Sequence, residues 1–256
     1  MQKLPVIQVI REAFDVVWLA KRHLLIALIP SVFLYYLTVI LIRLVAPAVD
    51  QSNIISMFWA YISIIALIPV YTIFAVTIHR LVLLGPGSVP WYGQFPFSKR
   101  ELKFGLYVFG TWVAFYIVFA LCMSLIGTIL ADSMEETFKS EGILKVLVFA
   151  ALLAPAVYVF SRVSLGFPAI ATDNYVGWKQ IWMMSQGNSL RLFVCTMTIP
   201  WIYKRITDYL PDSDYFVVDL FYLVMWLITV VVEIAIVSIS YKYISMIHES
   251  RVKEVQ

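Results

Sequence analysis

Glu233 is the residue in this sequence whose type and place most demand a chemical explanation. It sits in the run WLITVVVEIAIVSIS and is the only charged residue between Asp219 and Lys242. A carboxylate inside a membrane-length apolar run is costly to keep, so it calls for a partner or a function. At 1.5 Å per helical residue it lies about 13 Å inward of Lys242. Arg162 and Arg80 stand at a similar depth in two other apolar runs, and His79 is beside Arg80. One carboxylate and two guanidinium groups can meet between three parallel helices. Two chemistries are open to such a cluster. One is a buried ion pair that fixes helix register; breaking one side would then strand a charge. The other is a proton- or ion-coupled site. Snorkelling of the long side chains to the surface is a third explanation.

Other patterns of catalytic chemistry are missing. The sequence contains no HExxH, no GxSxG, no paired membrane aspartates, no Walker motif and no GxGxxG. The three histidines, His23, His79 and His248, fall at the ends of apolar runs, and no Cys/His spacing suggests a metal. Cys122 and Cys195 lie in separate apolar runs and read as two buried, inert thiols in preference to a disulfide. We therefore expect no catalytic residue, no cofactor and no metal.

The elements that must carry these residues follow from composition. Of 256 residues, 62% are hydrophobic and 14% charged; soluble domains carry roughly 25% charged residues. A water-soluble chain of this length cannot hide so much apolar surface, so the bilayer is the solvent. The net charge of +3 is small and its cations are dispersed. That excludes the clustered basic patch of a nucleic-acid binder.

About 20 apolar residues are needed to cross about 30 Å of hydrocarbon. Six stretches qualify, at about 23–46, 54–84, 104–131, 142–170, 189–210 and 215–246. The fifth is the weakest, because Lys204 and Arg205 lie near its far end. Backbone groups must be satisfied inside each crossing, so these are helices, and none shows the alternation of a barrel strand. The expected fold is an all-α polytopic membrane helical bundle of three hairpins. The small-residue stretch Ala46-Pro47-Ala48 resembles a cleavage site, but the 19-residue run from Leu24 to Ile42 is too long for a signal peptide's apolar core.

Orientation follows from Lys and Arg. One side collects 14 of the 19: Lys3, Arg11, Lys21, Arg22, Arg80, Lys99, Arg100, Lys103, Arg162, Lys179, Arg191, Lys242, Arg251 and Lys253. The other collects Arg43, Lys139, Lys145, Lys204 and Arg205. Both termini are thereby expected in the cytoplasm.

Three segments read as lying on that membrane surface. In 5–22, Val6, Ile10, Ala13, Val17 and Ala20 recur at helical spacing opposite Gln8, Arg11, Glu12, Asp15 and Arg22, with Trp18 nearest the first span. That predicts an interfacial amphipathic helix. Residues 177–188 predict a second, with Trp178 and Trp182 as headgroup anchors and Gly187 or Asn188 as its left-handed cap. Residues 86–100 read as an irregular aromatic loop carrying Trp91, Tyr92, Phe95 and Phe97. A surface segment thus precedes each hairpin. Two hairpin ends also look alike, His79-Arg80-Leu81-Val82-Leu83 and Ser161-Arg162-Val163-Ser164-Leu165. Pro30, Pro69, Pro155 and Pro200 fall inside spans, where each removes a backbone donor.

The stretch 161–193 carries a resemblance. Its Arg162, Leu165, Pro168-Ala169, Asp173, Trp182, Ser185 and the Gly187-to-Arg191 turn, with the earlier HRLVLLGP at 79–86, resemble segments of uncharacterised bacterial inner-membrane proteins. These are similar to the YciC-like family and to the membrane domain attached to some glycerophosphodiester phosphodiesterases. The resemblance covers about a third of the chain. It implies a bacterial inner-membrane helical bundle with hairpin repeats; it implies no catalytic residues, and no phosphodiesterase domain is present to bring that activity. Function is therefore expected to be that of a non-enzymatic scaffold or accessory protein, serving envelope homeostasis or a larger membrane complex. Its expected partners are membrane lipids and such a complex, not nucleic acid. The alternative is a small-solute or lipid transporter built on the Glu233 cluster.

Overall fold

A computed structural model describes residues 3–45, 54–93, 98–129, 143–208 and 216–255. Among them are eight α-helices and one 3-10 turn, and no strand. The helices are α1 (Val6–Val45), α2 (Ile54–Leu84), α3 (Lys99–Ile129), α4 (Ile143–Val163), α5 (Gly166–Ala171), α6 (Trp178–Met184), α7 (Ser189–Asp208) and α8 (Phe216–Val255). The turn is Pro86–Ser88. The acidic loop residues Asp132, Glu135, Glu136, Glu141, Asp212 and Asp214, together with Phe95, Phe97 and the Ala46–Ala48 stretch, lie outside the described residues.

The most extensive packing is within three consecutive hairpins: α1 on α2, α3 on α4, and α7 on α8. The all-α bundle of three hairpins is therefore present. Pro30, Pro69, Pro155 and Pro200 all fall inside helices, as the spans require. Cys122 and Cys195 are both free thiols.

Among the described residues, five helical stretches are long and apolar enough to cross a membrane: Val6–Ile42, Ile65–Leu84, Lys99–Ser124, Leu153–Ala171 and Phe221–Arg251. The expected fifth span at 189–210 is not among them. It forms helix α7, but Arg191, Lys204, Arg205 and Asp208 leave it too polar. Connectivity nevertheless makes α7 traverse the bundle. The first turn of α7 is tied to the N-terminal segment, since the Leu4 N–H donates to Asn188 Oδ1 (2.8 Å) and Arg191 Nη1 donates to the Leu4 carbonyl (2.7 Å). Helix α8 returns to that same end, where Lys242 Nζ and the Tyr243 hydroxyl bond Glu12 at 2.7 and 2.8 Å. The chain must have left this end between them, and α7 takes it; at 20 residues it is about 30 Å long. This end, which also holds Arg80, Arg100 and Arg162, is called the basic end below.

The separate surface helix at 5–22 does not exist as such. Residues 6–45 form one unbroken helix of 40 residues, as do 216–255. Each is about 60 Å long, twice the hydrocarbon thickness. Nothing in the sequence from Trp18 to Leu24 breaks a helix, so the amphipathic segment simply continues into the span. Its apolar stripe also faces protein. Ala13 is fully buried, and Val6, Ile10 and Val17 pack against the core that includes Ile236, Ile239 and Ile244 of α8. The opposite face leaves Ile7, Phe14, Trp18 and Leu19 exposed.

Candidate functional site

The polar groups of the basic end divide into two arrangements, one around Arg162 and one around Arg80. Arg162 is in the last turn of α4 and is only 4% exposed. Its Nε donates to Ser185 Oγ (2.8 Å), its Nη2 to the Trp182 carbonyl and its Nη1 to the Tyr158 hydroxyl (3.2 Å). The guanidinium also lies over the Trp182 ring, 3.8 Å from its centroid. Each of these partners is uncharged. The effect is mechanical. A cation at the end of α4 fills the unsatisfied carbonyl end of α6, where the helix dipole is negative.

Helix α6 is placed by its other face. Ile181 and Met184 are buried in the core, and Trp178 packs against Tyr107 of α3 at 5.2 Å between ring centroids. Gly187 takes the expected left-handed backbone, with φ 79°, but α6 has already ended at Ser185, a right-handed cap whose N–H bonds the Ile181 carbonyl. Tyr107 in turn donates to the Val163 carbonyl (2.7 Å) at the end of α4. A side chain at Gly166 would overlap the Tyr107 ring, so only glycine lets α3 approach here.

Arg80 lies near the end of α2. Its Nη1 donates to Asp173 Oδ2 (2.9 Å) and to the Ala171 carbonyl (3.0 Å), and its Nε to the Ser88 carbonyl (3.3 Å). Arg100, in the first turn of α3, reaches the same Asp173 oxygen at 3.1 Å. It also pairs with Glu101 at 2.8 Å, whose side chain is fully covered. Glu101 accepts from the Ser98 backbone N–H (2.9 Å) and from the Ser98 hydroxyl, while the Arg100 N–H donates to Ser98 Oγ (3.2 Å). This is a capping box: Ser98 and Glu101 satisfy helix-start donors reciprocally. The lattice binds the end of α2, the start of α3 and the segment after α5 into one unit.

The expected cluster of Glu233, Arg162, Arg80 and His79 is therefore not brought together. The two arginines are at the basic end, but each is engaged by a different segment. His79 is buried, and its Nδ1 lies 2.7 Å from Ser238 Oγ on α8. Ser238 Oγ also lies 2.8 Å from the Ile234 carbonyl of its own helix, so it joins His79 to the α8 backbone. Glu233 is half-buried on α8 and makes no ion pair among the described residues. An expected similar depth along parallel helices did not translate into contact, because depth says nothing about which helix face a residue occupies.

The four tryptophans named as interfacial anchors have unlike roles. Trp18 is 68% and Trp91 75% exposed; Lys21 Nζ lies 3.5 Å over the Trp18 ring, and Tyr92 meets Trp91 edge-on. Trp178 and Trp182 are each about two-fifths exposed and also serve as packing partners, of Tyr107 and Arg162. Among the described residues, no group of three or more His, Cys, Asp or Glu could hold a metal ion.

Sequence reasoning missed the ionic roles of Asp173, Arg100 and Glu101, and the clasp of Leu4 by Asn188 and Arg191. The spacing Ser98-x-x-Glu101 ahead of an apolar run was a readable sign of the capping box. Nothing local marks Asp173 as the acceptor for arginines 93 and 73 residues away. No protein-family model, curated protein or solved structure matches this chain.

Proposed function

We propose that this chain is a non-enzymatic accessory or scaffold protein of a bacterial inner membrane. In this reading it crosses six times with both termini cytoplasmic, and it belongs with the YciC-like and phosphodiesterase-attached membrane domains it resembles. The observation that carries the reading is the engagement of its inner arginines. A transport site built on a Glu233–arginine cluster would need those arginines mobile beside the carboxylate, whereas Arg162 and Arg80 bind carbonyls and side chains of neighbouring segments. Polar chemistry at the basic end is spent on holding helix ends in fixed relation, which suits a platform. Residues from the resemblance meet there: Arg162 with Trp182 and Ser185, and Arg80 with Asp173. The two 40-residue helices α1 and α8 extend the platform beyond the length a bilayer requires.

Transport of a small solute or lipid is the second reading, and one observation favours it. Glu233 is a half-buried intramembrane carboxylate with no cation against it among the described residues. The test is reconstitution of the full chain into liposomes holding a pH-reporting dye. A scaffold gives no proton movement that depends on Glu233. A flux lost in Glu233→Gln overturns the scaffold reading. In cells, Glu233→Ala is expected to lower abundance more than Glu233→Gln, which keeps the shape of the side chain.

A further inference from the structure

Two guanidinium groups at the basic end converge on one oxygen. Arg80 Nη1 lies 2.9 Å and Arg100 Nη1 3.1 Å from Asp173 Oδ2. The arginine side chains are 15% and 18% exposed, while that of Asp173 is 58% exposed. The acceptor is thus the part of the lattice that reaches the surroundings. Its backbone also departs from the usual regions. Asp173 adopts φ 60°, a left-handed conformation that a non-glycine residue takes at a cost.

The two donors do not depend on Asp173 for their placement. Arg80 is held by the carbonyls of Ala171 and Ser88, and Arg100 by the covered carboxylate of Glu101. Lys99 and Lys103 are exposed on the same helical turns as Arg100. Of the two acids these arginines pair with among the described residues, Glu101 is already committed to Ser98 and Arg100. Exposed Trp91 and Tyr92, on the loop just before α3, are side chains suited to the headgroup layer. Preorganised guanidinium pairs recognise phosphate oxygens, and basic clusters beside a membrane span attract anionic lipid.

We propose that Arg80 and Arg100 form a binding site for the phosphate of an anionic phospholipid headgroup, with Asp173 as the built-in ligand that the phosphate displaces. The site would seat the bundle against anionic lipid and exchange an internal ion pair for one with the membrane.

The test uses the full chain in nanodiscs of phosphatidylcholine alone and of phosphatidylcholine with one-third phosphatidylglycerol. Lipid retention is read by native mass spectrometry and stability by the thermal midpoint. Asp173→Asn suits it because asparagine tolerates the left-handed backbone. The variant should unfold earlier than wild type in neutral discs, recover in anionic discs, and retain more phosphatidylglycerol. Arg100→Gln should lose about fivefold of the wild-type preference for phosphatidylglycerol, the attraction of one basic residue for an anionic surface. Equal destabilisation of Asp173→Asn in both discs, with unchanged retention, overturns the proposal and leaves Asp173 a structural acceptor. Unaltered lipid preference in Arg100→Gln overturns it as well. Recovery of Asp173→Asn in neutral discs on adding inorganic phosphate assigns the site to a free anion and overturns the lipid assignment.

Discussion

Arg162 and Arg80 end two helices that run in the same direction, within stretches of similar sequence, yet their guanidinium groups are satisfied in opposite ways. Arg162 is buried and meets only uncharged groups: a serine, a tyrosine, a carbonyl and an indole face. Arg80 meets a carboxylate that is more than half exposed, and it shares that oxygen with Arg100. The difference follows from surroundings. At Arg162 the buried guanidinium is satisfied by dipoles fixed in place by packing, which avoids the cost of desolvating a carboxylate beside it. Near the surface an acid can approach without that cost, but the resulting pair is screened and exchangeable. The first arrangement is a permanent joint and the second an adjustable one.

That contrast orders the mutational effects. Removing the buried cation should hurt most. Arg162→Ala removes the donor to Ser185 Oγ, leaves the Trp182 carbonyl with the Ser185 hydroxyl alone and opens a cavity under the Trp182 ring, and we expect a loss of about 3 kcal/mol in unfolding free energy in a neutral bilayer mimic. Arg162→Lys should not restore it, since an ammonium cannot reproduce the planar fork or lie flat on an indole. Full recovery by lysine would show that charge alone matters at this joint and erase the distinction. Next comes Gly166→Ala, which forces Tyr107 away from the Val163 carbonyl; overpacking of this kind costs about 1–3 kcal/mol. A thermal midpoint equal to wild type would show that α3 and α4 can part freely there.

The adjustable arrangement should respond to smaller and different perturbations. Glu101→Ala removes half of the capping box and its pair with Arg100, for an expected loss of about 1 kcal/mol. Salt separates the two regions. Raising ionic strength should diminish the destabilisation measured for Asp173→Asn and leave that of Arg162→Ala nearly unchanged. Parallel salt dependence of the two variants would break the comparison. The smallest effect is expected for Glu12→Gln. Its partner Lys242 is about half exposed, and such surface pairs contribute about 0.2–1 kcal/mol.

Much of the architecture was legible beforehand because the bilayer imposes it. Runs of apolar residues near 20 long have few alternatives to helix, and the three hairpins follow from short connections between them. Leu102, Leu106, Phe109, Tyr116 and Leu121 of α3 are exposed on the outside of the bundle, as residues bathed in lipid can be. The weakness of the fifth span was visible in Lys204 and Arg205. What resolves its course is the clasp of Leu4 by Asn188 and Arg191, two residues that by themselves look like an ordinary turn.

Composition and apolar run length alone determined that the chain is an all-α bundle with helices long enough to cross a bilayer, since an unsatisfied peptide group in hydrocarbon is prohibitive in any fold. Spacing also picked out Glu233, Arg80 and Arg162 as charges within apolar runs. Only the tertiary structure decided their partners: Asp173 for Arg80 and Arg100, neutral dipoles for Arg162, and no cation among the described residues for Glu233. Depth along a helix is additive in sequence, at a constant rise per residue. Azimuth and inter-helix packing are not, because they depend on how side chains far apart in the chain fill one shared core.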